Sequence, residues 1–389
     1  MIKIVHCVTD EKFAKNIVTT FDFLCDRCQS TYVYIKNGSH KQLTYIADNK
    51  SIEHLEIDSL MERLHRGEYD VLFLHNLRSM PLKFISRIPL NVRVVWLAWG
   101  FDIYSCVGTK PLVPVANAIH PETQKLLRQT WREKLNHFLK MFYKATQSGH
   151  LKAAVTRADY FSGVLSEEYE MMCQVPYFRA QQIDYRYASP LSNITLEMLA
   201  NVPPVKGNDI LVGNSADPTN NHADIFKLLS EVDLKDRKVV VPLSYAGTSK
   251  YKARVKALGE QLWGSRFVAI DGFLPYTEYK TLISSCGFRI FGHERQQAMG
   301  NVNMAFRDGC KVFLSETSIV YKHQCKLGLR AYSIQHDILN GEILKEPDND
   351  EIYSNRKISI ENSLTEKQIG RLYGLVEILN GNGSVLKRT

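Results

Sequence analysis

The chain has 389 residues, of which 44% are hydrophobic and 23% are charged, and its formal net charge is +8. This composition is that of a soluble globular protein, and the length suits two domains. No apolar run approaches the ~20 residues of a membrane-spanning helix, and the N-terminal MIKIVHCVTD has the pattern of a strand rather than of a signal peptide. We therefore expect a cytoplasmic protein. Its mild positive charge suits an anionic substrate or membrane surface, and no nucleic-acid-binding motif is present.

In the first half of the chain, apolar runs typical of strands alternate with amphipathic stretches typical of helices. This alternation predicts a parallel sheet with helices on both faces. The predicted strands are residues 2–8, 31–35, 71–74, 92–98, 153–155 and 172–178, and the predicted helices are residues 12–24 and 57–66.

A long helical stretch, Glu122–Tyr143, follows a proline-containing loop at residues 109–120. Large apolar residues fall at helical spacing on one side, and basic residues outnumber acidic ones elsewhere. The stretch is either a core-facing helix with a solvated basic face, which we favour, or an interfacial helix that meets anionic lipid.

A polar, proline-containing stretch at residues 186–208 predicts a linker between two domains. The N-terminal domain would be residues 1–185, and the C-terminal domain residues 209–345. In the second domain, strands are predicted at residues 210–213, 238–242, 267–270, 288–291 and 311–314.

The tail, residues 346–389, holds an amphipathic helix predicted at residues 364–379, and Ser363 with Glu366 forms the pattern of a capping box before it. Near the start of the tail, Asp348-Asn349-Asp350 has the form of a metal-binding D-x-D, but no buried strand precedes it, so we predict a solvated loop.

Metal binding is not predicted elsewhere either. Only Cys25 and Cys28 among the eight cysteines form a C-x-x-C pair. A zinc site needs a second pair nearby, so we interpret these cysteines as packing or surface thiols.

Two stretches of the second half share the order of strand, polar loop and helix. Ile210–Gly213 is followed by Asn214 and Ser215, and Phe288–Phe291 is followed by a polar loop with Arg295. In open α/β sheets such loops lie at the carboxyl ends of strands, where ligands bind. A helix N-terminus and an arginine both suit phosphate. Neither a G-x-G-x-x-G nor a P-loop motif is present, so the pattern favours a nucleoside diphosphate that carries another group.

Several short motifs occur in one order along the chain. They are Trp99–Tyr104 (WGFDIY), Leu211–Ser215 (LVGNS), Val239–Pro242 (VVVP) with Tyr245, and Arg295–Gln297 (RQQ) with Gly300. Together they resemble glycosyltransferase family 56, the 4-α-L-fucosyltransferase family, from about the first strand into the last third of the chain. The family pattern has Gly and Thr where this chain has Ala298 and Asn301.

The resemblance implies an α/β fold of the GT-B type, with two Rossmann-like domains, a cleft between them and a C-terminal helix that crosses back to the first domain. It implies a metal-independent glycosyltransferase that needs no cofactor. The enzyme would move a fucose-like or N-acetylated amino-deoxy sugar from a TDP-type nucleotide-sugar donor to a lipid-linked saccharide. Such a protein would act in bacterial surface polysaccharide synthesis, as a peripheral protein on the cytoplasmic face of the inner membrane.

The donor would be held mainly by the second domain. We expect Gly213 to let backbone approach the ligand closely. The predicted diphosphate-binding residues are Asn214, Ser215, Arg295, Gly300 and Asn301.

The sugar and the base of the donor need further partners. Gln296 and Gln297 would bind the sugar, or else backbone, through their amides. Tyr245 and Phe273 would stack on the base or serve only in packing.

A base for the acceptor hydroxyl is needed if the reaction inverts configuration, and we expect it from the first domain. Asp102 is the preferred candidate because it follows a buried strand within the family motif, and a cap or turn residue is its structural alternative. His75, Asp10 and Asp159 are further strand-end candidates. The sequence leaves open whether the reaction retains or inverts the anomeric configuration of the sugar.

Two other functions remain possible for the same architecture. A sugar-nucleotide epimerase would need no second substrate, and a non-catalytic nucleotide-sugar-binding module would need no working base. A dehydrogenase is disfavoured because the glycine fingerprint is missing.

Overall fold

The computed structural model describes residues 1–11, 13–36, 43–104, 110–127, 146–187, 194–272 and 274–381. The chain forms two compact units. Unit 1 consists of Met1–Pro114, Lys134–Asn193 and Leu364–Thr389, and unit 2 consists of Val115–Glu133 and Ile194–Ser363.

Unit 1 is built on a seven-stranded sheet with the order β3-β2-β1-β4-β5-β6-β7, in which every pair of neighbours is parallel. Helices connect β1 to β2 and each successive pair of strands from β3 to β7, as is usual for parallel strands. The strands are β1 (Ile2–Val8), β2 (Cys28–Ile35), β3 (Ile52–Leu55), β4 (Val71–Leu74), β5 (Arg93–Leu97), β6 (Tyr160–Ser162) and β7 (Gln181–Gln182). The helices are α1 (Ala14–Asp22), α2 (Ile57–His65), α3 (Leu82–Ile85), α4 (Gly100–Tyr104), α6 (residues 146–157) and α7 (Glu167–Cys173), together with α15 (Thr365–Leu379).

Unit 2 is built on a six-stranded sheet with the order β10-β9-β8-β11-β12-β13, again with parallel neighbours throughout. The strands are β8 (Ile210–Val212), β9 (Val239–Pro242), β10 (Phe267–Ile270), β11 (Phe288–Phe291), β12 (Lys311–Leu314) and β13 (Tyr332–Ser333). The helices are α5 (Pro121–Leu126), α8 (Met198–Asn201), α9 (His222–Ser230), α10 (Ser249–Trp263), α11 (Tyr276–Leu282), α12 (Met299–Arg307), α13 (Ile319–Lys326) and α14 (Asn349–Ser363).

The last helix, α15, belongs to unit 1 although the residues before it belong to unit 2. Its residues Leu372, Leu375, Val376 and Leu379 are buried in the core of unit 1. This return to the first unit is the one that the resemblance to GT-B enzymes implied. The predicted capping box does not form, because Ser363 is the last residue of α14 and Leu364 is the N-cap of α15.

Two predicted strands of the first half are wrong. Residues 153–155 lie inside α6, and residues 172–178 contain the end of α7 and a turn. The buried residues in the second stretch are Met172, Val175 and Phe178. They recur every three residues, which is the spacing of helical turns rather than the alternation of a strand.

The sequence-based domain limits also differ from the two units. Residues 115–127, assigned to the first domain, pack in unit 2 because side chains of α9 bind the start of α5. Asp224 accepts hydrogen bonds from the N–H groups of Glu122 (3.0 Å) and Thr123 (2.8 Å). Thr123 Oγ1 in turn accepts one from Ala223 N–H (3.1 Å). The part of the predicted helix Glu122–Tyr143 that follows residue 127 lies outside the described residues.

In the described part of the chain, no helix has both the length and the apolarity that crossing a membrane requires. The stretch predicted as a solvated loop around Asp348–Asp350 is the start of α14. Acidic residues there suit a helix N-terminus, where the helix dipole favours negative charge.

The sheet of unit 2 carries a buried lysine, Lys311 of β12. Its ammonium donates to the carboxylate of Glu342 (2.8 Å) and to the carbonyls of Glu342 (2.9 Å) and Lys345 (3.2 Å). Hydrogen bonds from Lys311 and Lys345 lower the pKa of Glu342 to about 2. A buried ammonium of this kind depends on its anionic partner.

Replacing Glu342 with Gln leaves that ammonium without its anion, and we expect a loss of about 2–3 kcal/mol of unfolding free energy at pH 7. Because folding lowers the pKa of Glu342, its contribution is present above the pKa of an unfolded Glu and is lost as pH falls through about 2. The difference in unfolding free energy between variant and wild type, measured by urea denaturation, should therefore shrink below pH 4. The exposed Glu278→Gln is the control, and an equal deficit at pH 7 and pH 2.5 would contradict this account.

Candidate functional site

The candidate site lies in unit 2 at the carboxyl ends of its central strands. The chain runs from β8 to β9 and β10 on one side, and from β11 to β12 and β13 on the other. The boundary between β8 and β11 is therefore the switch point of the sheet, where ligands of open α/β folds bind. Three loops meet there: the β8 loop (Gly213–Asn221), the β9 loop (Leu243–Thr248) and the β11 loop (Gly292–Ala298).

The structure joins the β8 loop to the strand β11 and to the β11 loop through several hydrogen bonds. Gly213 N–H donates to Ile290 O (2.8 Å), and Asn221 Nδ2 donates to Gly292 O (2.7 Å). Thr219 Oγ1 donates to the amide oxygen of Gln297 (2.7 Å). The two stretches that the sequence analysis paired are thus neighbours in the fold.

The close approach of the loops requires glycine at two positions. Gly213 has φ +73°, and a Cβ there would lie 3.1 Å from both Asn220 Oδ1 and His222 Nε2. Gly247 of the β9 loop has φ +61°, and its Cβ would lie 2.3 Å from the carbonyl oxygen of Ala216. Any other residue in place of Gly247 would push the β9 loop away from the β8 loop.

Several buried polar atoms of this region have no hydrogen-bond partner among the described residues. They are Asn214 Oδ1, Asn220 Oδ1, His222 Nε2 and both ring nitrogens of His293. All four side chains are at least nine-tenths buried. Burial lowers the pKa of His222 and of His293 to about 4, so both imidazoles are neutral near pH 7. Neutral imidazoles and amides of this kind can donate and accept hydrogen bonds with a polar ligand.

Arg295 is the cation of the β11 loop. Its Nη1 donates to Gln296 O (3.2 Å), and its Nη2 lies 3.8 Å from Asp217 of the β8 loop. Two acidic residues of unit 2 that could pair with this cation pair with other residues: Asp308 with Arg289 (3.0 Å) and Glu294 with His120 (2.9 Å).

The N-terminus of α12 lies directly after Arg295–Gln297. Its N-cap, Ala298, has φ +56°, and no side chain caps the helix. Gly300 is exposed, and a Cβ there would meet nothing within 4 Å. Asn301 is half-buried in the same turn. The first turn of α12 can therefore direct N–H groups toward an anion.

The remaining predicted donor residues occupy different surroundings. Gln296 and Ser215 are buried. Tyr245 is 52% exposed, and its hydroxyl accepts a hydrogen bond from Asn214 Nδ2 (2.7 Å). Phe273 lies outside the described residues. Within the described chain, no group of three or more His, Cys, Asp or Glu side chains is placed to hold a metal ion.

One pair of residues at the site was missed by the sequence analysis. His120 Nε2 lies 2.9 Å from Glu294 Oε1, and His120 N–H donates to Asn221 Oδ1 (2.8 Å). The hydrogen bond to Glu294 raises the pKa of His120. In the sequence, His120 is the last residue of the predicted loop before Pro121, and no motif there indicates a functional histidine.

The predicted catalytic residues of unit 1 are enclosed. Asp102 is fully buried and accepts hydrogen bonds from Leu77 N–H (3.3 Å), Trp96 Nε1 (3.3 Å) and Trp99 N–H (3.1 Å). Burial raises its pKa to about 7, against the effect of these bonds. This is the geometry of an internal cap, which favours the structural alternative for Asp102.

His75 is also buried, with Nε2 3.1 Å from His6 Nδ1 and Nδ1 3.1 Å from Tyr187 Oη. Burial lowers the pKa of His75 to about 3. The two further carboxylates bind backbone N–H groups: Asp10 those of residues 44–46, and Asp159 that of Val94.

Comparison with known proteins agrees with the resemblance. Residues 189–346 match the family described as 4-alpha-L-fucosyltransferase glycosyl transferase group 56. The matched range contains the β8, β9 and β11 loops, so the suspected family is confirmed for this part of the chain.

Solved structures similar to this chain share its fold at low sequence identity. Anabaena HepE in complex with UDP has a TM-score of 0.61 and 12% identity, over 98% of this chain and 100% of that chain. The lipopolysaccharide outer core galactosyltransferase WaaB has a TM-score of 0.58 and 11% identity, over 96% and 98%. A proposed UDP-N-acetylglucosamine 2-epimerase from Listeria monocytogenes has a TM-score of 0.53 and 12% identity, over 98% of each chain.

These similarities confirm the predicted GT-B fold class. They include a galactosyltransferase and a proposed epimerase, so the fold alone does not separate those activities. Together with the family match, they support sugar transfer.

The junction of the two loops can be tested at Asn221, which has φ +55°. Asn221→Gly removes the hydrogen bonds to Gly292 and His120, and we expect a loss of about 2 kcal/mol of unfolding free energy. Asn221→Ala removes the same bonds and adds the strain of a left-handed backbone, so it should be about 1 kcal/mol less stable than the Gly variant. Urea denaturation of both variants measures this order, and equal stability of the two would exclude the backbone contribution.

Proposed function

We propose that the protein transfers a fucose-like or N-acetylated amino-deoxy sugar from a TDP-type nucleoside-diphosphate donor to a lipid-linked saccharide. The observation that carries this proposal is the meeting of the β8 and β11 loops at the switch point, within the part of the chain that matches the fucosyltransferase family. The reaction would serve the synthesis of a bacterial surface polysaccharide.

The diphosphate of the donor would bind between the β8 loop and the first turn of α12. Arg295 supplies a cation that is only 17% exposed, and α12 supplies uncapped N–H groups. A guanidinium and a helix N-terminus together neutralise phosphate charge, so we propose that transfer needs no metal ion. A nucleotide donor is supported by the similarity in fold to HepE, whose structure contains UDP.

The sugar and the base would use the polar atoms that surround this position. The amides of Gln296 and Gln297, directly before the N-terminus of α12, would bind hydroxyl or acetamido groups of the sugar. Tyr245 is exposed enough for its ring to stack on a base. We keep Phe273 as a second stacking candidate.

Unit 1 would handle the acceptor. A lipid-linked saccharide is proposed on the strength of the family match, and the net charge of +8 suits an anionic membrane surface. The protein would then act as a peripheral protein on the cytoplasmic face of the inner membrane.

An epimerase is the second candidate, because a proposed epimerase shares the fold. The two functions differ in their need for an acceptor. Purified protein should therefore be incubated with TDP-, UDP- and GDP-sugars, with and without a lipid-diphosphate disaccharide, in the presence of EDTA. Release of TDP that depends on the acceptor supports transfer, interconversion of the donor without acceptor supports epimerisation, and binding without turnover supports a binding module.

Replacing Arg295 with Ala removes the cation proposed to stabilise the leaving diphosphate, and kcat/KM should fall about 100-fold. Arg330→Ala is the matched control, because it removes the same charge from unit 2 at a side chain that is 65% exposed. Both variants are compared by initial rates of TDP release at saturating acceptor. Retention of wild-type kcat/KM by the Arg295 variant would remove this residue from the donor site.

A further inference from the structure

A histidine and a carboxylate form a dyad at the junction of the β8 and β11 loops. His120 Nε2 and Glu294 Oε1 are 2.9 Å apart, although 174 positions separate the two residues in the chain. The backbone N–H of His120 binds Asn221, the residue whose side chain also binds Gly292 of the β11 loop. Glu294 directly precedes Arg295. The dyad thus lies at the junction of the two loops that form the proposed donor site.

The carboxylate of this dyad is held in one orientation. Ser315 Oγ donates to Glu294 Oε1, and Thr317 Oγ1 donates to Glu294 Oε2. Both hydrogen bonds are 2.6 Å long. Burial alone would raise the pKa of Glu294, but the hydrogen bonds from His120, Ser315 and Thr317 outweigh it and the pKa is lowered. Glu294 is therefore an anion across the neutral range, and an anionic carboxylate only accepts hydrogen bonds.

The tautomer of His120 follows from its partner. Since Glu294 only accepts, Nε2 carries the proton, and in the neutral imidazole Nδ1 is the unprotonated nitrogen. Nδ1 has no hydrogen-bond partner among the described residues. The side chain is 27% exposed, whereas that of Glu294 is 6% exposed. A buried, oriented carboxylate behind an accessible imidazole is the arrangement that makes histidine an effective base.

We propose that His120 is the general base of the transfer, with Glu294 as the residue that orients it. This inference rests on the proposed function. Nδ1 takes the proton from the acceptor hydroxyl as the O–H bond breaks. The hydroxyl oxygen forms a bond to the anomeric carbon, and the bond from that carbon to the diphosphate breaks, with its electron pair leaving on the nucleoside diphosphate. Direct displacement of this kind inverts the configuration of the sugar.

The enclosed groups of unit 1 suit this role less well. The carboxylate of Asp102 has no exposed surface and is engaged by three N–H donors. Both nitrogens of His75 are engaged by His6 and Tyr187. A base must come within hydrogen-bond distance of the hydroxyl that it deprotonates, and His120 is the accessible group among these candidates.

The pH dependence of transfer should report the dyad. The charged groups that face His120 are Glu294 and Asp224, and both raise the pKa of His120, against the opposing effect of burial. The base works only when it is deprotonated, so kcat should rise with pH through a value above 6.5, the ordinary pKa of histidine.

The test compares His120→Ala and His120→Gln with His336→Ala. His336 is the matched control, because it also pairs with a glutamate of unit 2, Glu316 (3.2 Å), but is 67% exposed and lies outside the proposed site. We expect both His120 variants to lose at least 100-fold in kcat while their Kd for TDP stays within threefold of wild type. Added imidazole should restore part of the activity of the Ala variant, and the control should behave as wild type.

Three further readouts complete the test. Thermal unfolding shows whether the variants remain folded, and the rise of kcat with pH should disappear in both His120 variants. NMR of the product should show an inverted anomeric configuration. A retained configuration, or a folded His120→Ala variant with more than one-tenth of wild-type kcat and the same pH profile, would overturn the base assignment alone. Absence of acceptor-dependent turnover by the wild-type protein would overturn the proposed function and this inference together.

Discussion

The candidate site depends on one buried amide, that of Asn221. Its left-handed backbone, φ +55°, places the side chain between the two central loops of unit 2. From there it donates to Gly292 and accepts from the backbone of His120. Asparagine is suited to this position because it tolerates the left-handed region and carries both a donor and an acceptor. One side chain therefore fixes the β8 loop, the β11 loop and the start of α5 relative to one another.

The sequence predicts much of this arrangement because buried parallel strands are continuous apolar runs. The predicted strands of unit 2 at residues 210–213, 238–242, 267–270, 288–291 and 311–314 match those of the structure within one residue. Since the carboxyl ends of parallel strands share one edge, the polar loops after β8 and β11 had to lie on the same side of the sheet. Unit 1 was harder to predict, because its short apolar runs fit a helical turn as well as a strand.

The surroundings of individual side chains were less predictable than the strands and loops to which they belong. Asp102 follows a strand, as expected, yet it is turned inward by N–H groups of Leu77 and Trp99 that come from two different loops. His120 and Glu294 form a pair across 174 residues. The pair of His120 and Glu294 leaves no local pattern in the sequence, because it depends on how distant segments pack. The enclosure of Asp102 is partly local, since Trp99 lies only three residues before it, and partly the result of packing against the distant Leu77.

The unpaired polar atoms of the site connect its stability to its function. Asn220 Oδ1, His222 Nε2 and the ring nitrogens of His293 have no partner among the described residues, and each such group costs about 1–3 kcal/mol. The left-handed Ala298 adds roughly 1 kcal/mol. These penalties are large against a typical stability of about 5–15 kcal/mol. A nucleotide-sugar that formed hydrogen bonds with these atoms would therefore stabilise the fold of unit 2 as it bound. Recognition of the nucleotide-sugar and rigidity of the loops would then arise from the same hydrogen bonds.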